Sequence, residues 1–116
     1  LLQTVNPENH PLTIIGFSQG GYLAPLLGLQ EPSTKHVIGI GCEFKNKFFD
    51  LPPTFTLDAV HGLDDLIIPP EMALEEIRLL KEKKIQVNWH PIPDAKHEIN
   101  REVGLAIQKI LEQHGN

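Results

Sequence analysis

The feature that most constrains this chain is a junction with no loop in it. Leu12 to Phe17, LTIIGF, is a short β-branched apolar run that reads as a buried strand. It passes directly through Gly16-Phe17-Ser18-Gln19-Gly20-Gly21 into an expected helix from about Gln19 to Leu29. A strand that becomes a helix within so few residues brings two backbones together, so small residues are needed two before and two after the turn. Gly16 and Gly20 stand at those places, with Ser18 at the apex. A serine there projects its hydroxyl above the sheet. The first N–H groups of the helix, that of Gln19 foremost, point toward negative charge developing beside it. The bland alternative is a glycine-rich turn with an incidental serine. A nucleotide-binding loop fits less well, because the glycines do not follow G-x-G-x-x-G and no lysine follows as a P-loop requires.

The rest of the chain repeats the alternation. His36 to Gly41, HVIGIG, and Phe55 to Val60, FTLDAV, read as second and third strands. Asp58 within the third is a cost unless it is paired or exposed. A helix over about 70–84 opens at Pro69-Pro70, carries Glu71, Glu75 and Glu76 early and Arg78, Lys81, Lys83 and Lys84 late, and so matches its own dipole. Leu74, Ile77, Leu80 and Ile85 form its expected buried stripe. Gln86 to Ile92 is a fourth strand, which Pro91 assigns to an edge or to an early end. A last helix, Ile99 to His114, carries Val103, Ala106, Ile107, Ile110 and Leu111 on one face, with Gly115 placed to stop it. Pro25 should bend the first helix or remove one of its bonds. Cys42 to Pro53 fits neither period and reads as an apolar loop with one helical turn. Residues 1–11 read as a helix end and loop punctuated by Asn6-Pro7 and His10-Pro11. The order predicts a single α/β domain over residues 1–116, a parallel sheet of about four strands with flanking helices.

Composition narrows the function classes. The 116 residues are 41% hydrophobic and 22% charged, with 10 Lys+Arg against 15 Asp+Glu and a formal charge of −5. That balance argues against a nucleic-acid binder working by phosphate neutralisation. No apolar run approaches a membrane span. One cysteine, Cys42, excludes an internal disulfide framework and a thiolate metal cage. With no basic-then-apolar leader, a cytoplasmic location is expected. The chain opens Leu1-Leu2 and its one methionine is Met72, so a processed or truncated product is expected, or else a half-size protein.

A serine needs a base, and the base needs an orienting acid. His61-Gly62-Leu63-Asp64-Asp65-Leu66-Ile67-Ile68-Pro69 follows the third strand and offers two carboxylates in one loop. Asp94-Ala95-Lys96-His97-Glu98 follows the fourth. Ser18, then Asp64 or Asp65, then His97 each lie beyond the C-terminal end of a different strand, where α/β sheets place their sites. The aspartates could instead be turn residues or a cap, and His97 a solvated loop histidine. His61, Asp64, Asp65 and His97 together also have the residue types of a metal site. His61 alone reads as structural, and His10, His36, His90 and His114 as surface or core.

GFSQGG, HGLDDLIIP and the late KHEI together resemble the phospholipase/carboxylesterase group of α/β-hydrolases, which includes the acyl-protein thioesterases. They are similar, more loosely, to dienelactone hydrolases. Gly16 to Gly21 match the family's elbow residue for residue. His61, Gly62, Asp65 and Pro69 match its H-G-x-x-D-x-x-V-P loop, with Ile68 in place of valine. The resemblance selects Asp65 over Asp64 as the acid and implies Ser18 as nucleophile, His97 as base and the Gln19 N–H as one oxyanion donor. It also implies an absent N-terminal half, with the loop that donates the second oxyanion N–H.

The expectation is therefore a serine esterase acting on small-molecule esters or thioesters through an acyl-enzyme, with no metal and no cofactor. The alternative is a non-catalytic fragment or binding module with an incomplete oxyanion hole. Phe44, Phe48, Phe49 and Leu51, with Ile67 and Ile68, are candidates to line an acyl pocket, or else ordinary core. An apolar parallel edge at Leu12–Phe17 would recruit another chain, so a homo-oligomer or association with the missing half is expected through that edge.

Overall fold

The computed structural model describes residues 10–114. Four strands, β1 (Leu12–Phe17), β2 (Thr34–Ile40), β3 (Thr56–Gly62) and β4 (Val87–Ile92), lie side by side in chain order, all parallel. The connections are helix α1 (Gln19–Gln30), a long loop with one 3₁₀ turn at Asn46–Phe48, and helix α2 (Pro70–Glu82). Helix α3 (Arg101–Gln113) closes the domain. The fold is the expected four-stranded parallel sheet with helices on both faces. The expected β3 is extended by His61 and Gly62, which carries the acid loop out on a strand end. Asn6-Pro7 and Gly115 lie outside the described residues.

Side-chain alternation divides the core in two. On one face Val37, Leu57, Ala59 and Val87 pack with Ala24 of α1 and with Ile77 and Leu80 of α2. On the other face Ile38, Ile40, Val60 and Ile92 pack with Val103 and Ile110 of α3. Parallel strands need cover on both sides, and this is how three helices supply it. β4 is an edge strand, which is where Pro91 with its missing donor can sit. β1 is the other edge. Ile15 points to the α3 face there and is 47% exposed, because α3 lies over β3 and β4.

Three local outcomes differ from the sequence expectation or complete it. Leu74 is exposed, and the buried stripe of α2 is Ala73, Ile77 and Leu80. The small Ala73 brings the helix down onto the sheet and turns Leu74 outward. Helix α3 starts at Arg101 and not at Ile99, because the Asn100 side chain caps it by accepting the Val103 N–H at 2.9 Å. Asp58, the polar residue inside β3, is buried and paired with His36 and His90. Burial works against its charge, but hydrogen bonds from His36 and His90, with help from Asn88, outweigh that and hold its carboxyl at about 2.

Candidate active site

Ser18 sits between β1 and α1 with φ 56° and ψ −117°, a left-handed φ that L-residues avoid. The turn is held in place from both sides. The Ser18 N–H donates to the Ile40 carbonyl at 2.8 Å, and the Ser18 carbonyl accepts from Tyr22 N–H at 3.0 Å. A Cβ on Gly16 would lie 2.3 Å from the Gly20 oxygen, and one on Gly21 would lie 2.7 Å from Cys42 Sγ. Gly16 is thus required by backbone contact and Gly21 by the Cys42 side chain and the Gly16 carbonyl, whereas a Cβ on Gly20 would meet nothing within 4 Å, so the expected need for a small residue two after Ser18 does not hold there. Gln19 is the first residue of α1 and exposed; its N–H belongs to the first turn, which has no acceptor within the helix.

The acid loop is built by backbone bonds to the histidine loop. Leu63 N–H donates to Ile92 O at 3.0 Å, and Asp64 N–H to Ala95 O at 2.9 Å. This turns the Asp64 side chain outward and buries that of Asp65. Asp65 Oδ1 accepts the N–H groups of Ile67 and Ile68 at 2.9 and 2.8 Å. His61 Nε2 donates to Ile68 O at 2.7 Å and stacks on Trp89, bracing the same loop from below. With Oδ1 engaged by two amides, Oδ2 is left for His97.

The three sequence-selected side chains meet. Ser18 Oγ is 2.7 Å from His97 Nε2, and His97 Nδ1 is 2.8 Å from Asp65 Oδ2. A carboxylate can only accept, so Nδ1 carries the proton and Nε2 presents its lone pair to the hydroxyl. Phe17 packs at 5.0 Å from the His97 ring, and Gly41, at φ 58°, leaves room beside it. Neither support was visible in the sequence, because each depends on which loops meet above the sheet.

The aromatic residues lie elsewhere. Phe44 and Phe49 are buried in the core with Ile77 and Leu80, and Phe48 packs partly buried against Tyr22, its ring edge-on at 5.6 Å. Of the two readings the sequence left open, acyl-pocket lining and ordinary core, the path of their loop supports core for Phe44 and Phe49. Glu76 Oε1 accepts both the backbone N–H and the Nδ2 of Asn46, while Lys83 Nζ donates to the carbonyls of Asn46 and Phe49. These bonds draw the loop down against α2. Phe48, Phe49 and Leu51 then line a cavity of about 380 Å³ with Gly28 and Phe55, at the opposite end of the strands from Ser18. Ile67 is exposed and Ile68 half-buried, both on the acid loop. His61, Asp64, Asp65 and His97 do not converge as metal ligands. Among the described residues, the side chains whose ligand atoms do converge are His36, Asp58 and His114.

The family model for phospholipase/carboxylesterase matches residues 5–115. No curated protein matches the chain. Among solved structures, SOBER1 of Arabidopsis thaliana is similar with a TM-score of 0.75 and 23% identity, over 94% of this chain and 54% of that one. Esterase PE8 is similar at 0.74 and 20%, over 87% and 49%. MGS-MChE2, an α/β-hydrolase enzyme from a lagoon-sediment metagenome of Mar Chica, Morocco, is similar at 0.68 and 18%, over 90% and 61%. The chain thus spans about half the length of the first two. No helix among the described residues is long and apolar enough to cross a membrane.

Proposed function

The chain belongs to the phospholipase/carboxylesterase family, and on that premise we propose that it is the nucleophile-bearing half of a serine esterase acting on carboxylic esters or thioesters. The observation that carries the reading is the continuous Ser18–His97–Asp65 hydrogen-bond chain, 2.7 and 2.8 Å, assembled from three separate loops. Ser18 Oγ attacks the acyl carbon while His97 Nε2 takes its proton. His97 then returns that proton to the leaving alkoxide or thiolate as the acyl-enzyme forms. Water attacks the acyl-enzyme with the same base. Asp65 holds the tautomer and stabilises the imidazolium. The Gln19 N–H receives the oxyanion, and no metal or organic cofactor takes part.

A second reading rests on the chain spanning about half of its structural neighbours. If the second oxyanion donor belongs to the other half, this chain alone is a binding module or a weak catalyst, since one missing donor costs about 10²–10³ in rate. In the same proposal the β1 edge pairs with strands of that other half; a second copy of this chain is the competing occupant. A cytoplasmic setting fits the single buried thiol.

The test is turnover of short-chain p-nitrophenyl esters by the 116-residue chain and by its Ser18→Ala variant. Turnover that disappears in the variant supports the esterase. Equal background rates in two folded proteins support the binding module. Light scattering on the same samples separates monomer from dimer.

A further inference from the structure

We propose that His36, Asp58 and His114 bind a divalent first-row transition metal ion of the zinc class, on the α3 face of the sheet and away from Ser18. The three come from β2, β3 and the end of α3. Asp58 Oδ2 is hydrogen-bonded to His36 Nε2, and His114 Nε2 lies 3.6 Å from the same oxygen. One ligand atom from each residue falls within 4.8 Å of the other two. Ligand atoms about 2.0–2.2 Å from a tetrahedral zinc stand about 3.3–3.5 Å apart, so His114 Nε2 is already near the required spacing from Asp58 Oδ2, and His36 Nε2 must draw back from that oxygen to admit an ion.

The surroundings already do what a metal site requires. The Asp58 carboxylate is almost fully buried and is met by three histidines, His36, His90 and His114. Burying such a charge is costly unless a cation accompanies it. His90 Nε2 donates to Asp58 Oδ1 at 2.6 Å, which fixes the carboxylate plane and turns Oδ2 toward the other two rings. The His36 and His114 rings lie 3.7 Å apart between centroids and 30° from parallel. Two imidazolium ions would repel in that arrangement; an ion that displaces the proton His36 Nε2 donates to Asp58 would instead take the Nε2 lone pairs of two neutral rings. Two imidazole nitrogens and one carboxylate oxygen suit zinc, cobalt or nickel rather than calcium or magnesium, which prefer all-oxygen shells. His114 is exposed, and His90 lines a cavity of about 330 Å³ between β4 and α3, so an ion can reach the cluster. A bound ion would tie the C-terminal turn of α3 to the middle of the sheet.

Zinc chloride titrated into the chelator-treated 116-residue chain, against a chromogenic zinc indicator, tests this. The expected result is one zinc per chain, an affinity at least about tenfold weaker in His114→Ala, and no change in His97→Ala. Circular dichroism checks that the exposed His114→Ala change leaves the fold intact. Cobalt(II) added to the unaltered chain is an independent readout, and intense visible bands of a four-coordinate ion are expected. Absence of stoichiometric zinc, equal affinity in His114→Ala, or loss of binding in His97→Ala would each overturn the proposal, the last by moving the ion to the Ser18 site.

Discussion

Gly62 and Ala95 touch backbone to backbone: a Cβ built on Gly62 would lie 2.3 Å from the Ala95 carbonyl oxygen and 2.6 Å from that of Lys96. This contact sets the distance between the loop that carries Asp65 and the loop that carries His97. Gly62→Ala must push the two loops apart. It is expected to destabilise the protein by about 1–3 kcal/mol, the usual cost of overpacking. Ester turnover should fall at least tenfold more than stability loss explains. Thermal melts and turnover on the same sample check it.

Asp64 and Asp65 are adjacent, but only Asp65 turns inward to His97. In Asp65→Asn the side-chain oxygen can keep the Ile67 and Ile68 amides, which leaves the NH₂ facing His97 Nδ1. His97 then carries its proton on Nε2 and cannot accept one from Ser18. A rate loss on the order of 10⁴ is expected, as in the serine-protease precedent, against less than about twofold for Asp64→Asn. Steady-state rates of the two variants decide it; the reverse ranking would reassign the acid.

The strands, the helices and the Ser18–Asp65–His97 order were legible in the sequence because each is written locally. Gly16 and Gly20 flank the serine and the charges of α2 run along its own dipole, while the choice of Asp65 over Asp64 comes from the family resemblance and not from the residues alone. What depends on distant segments was not legible. Phe49 has the composition of a pocket lining, but Lys83, 34 residues on, decides that it is core. Leu74 and Ala73 fit the helical period almost equally, and only contact with the sheet chooses between them. The pairing of Asp58 with His36 and His90 follows from the parallel register and from strand faces, which single-strand patterns do not reveal.

The placement of Phe49 makes its own prediction. Phe49→Ala should cost about 3–5 kcal/mol of stability by opening a cavity between the β2–β3 loop and α2. It should leave the acyl-chain preference of any residual turnover unchanged. Denaturant melts with a chain-length series of esters separate the two effects. A shifted chain-length preference at unchanged stability would return Phe49 to the substrate site.

Cys42 offers a check on the packing beneath the serine turn. Burial, reinforced by the neighbouring Glu43 charge, pushes its thiol up to about 12. Almost none is thiolate near neutral pH, and the sulfur lies under Gly21 and Gly39. Iodoacetamide at pH 8 should therefore leave the native protein unlabelled and modify Cys42 fully in denaturant, as read by intact mass. Rapid native labelling would mean that the core under α1 is open.

In the proposed mechanism Ser18 is a nucleophile activated by His97. A fluorophosphonate reacts with such a serine and retains a phosphonyl group on its oxygen, so intact mass and peptide mapping read the claim without knowledge of the natural substrate. One adduct per chain is expected, at Ser18, absent in Ser18→Ala and slowed by orders of magnitude in His97→Ala. A folded chain that takes up no label, or takes it up equally in His97→Ala, would contradict it.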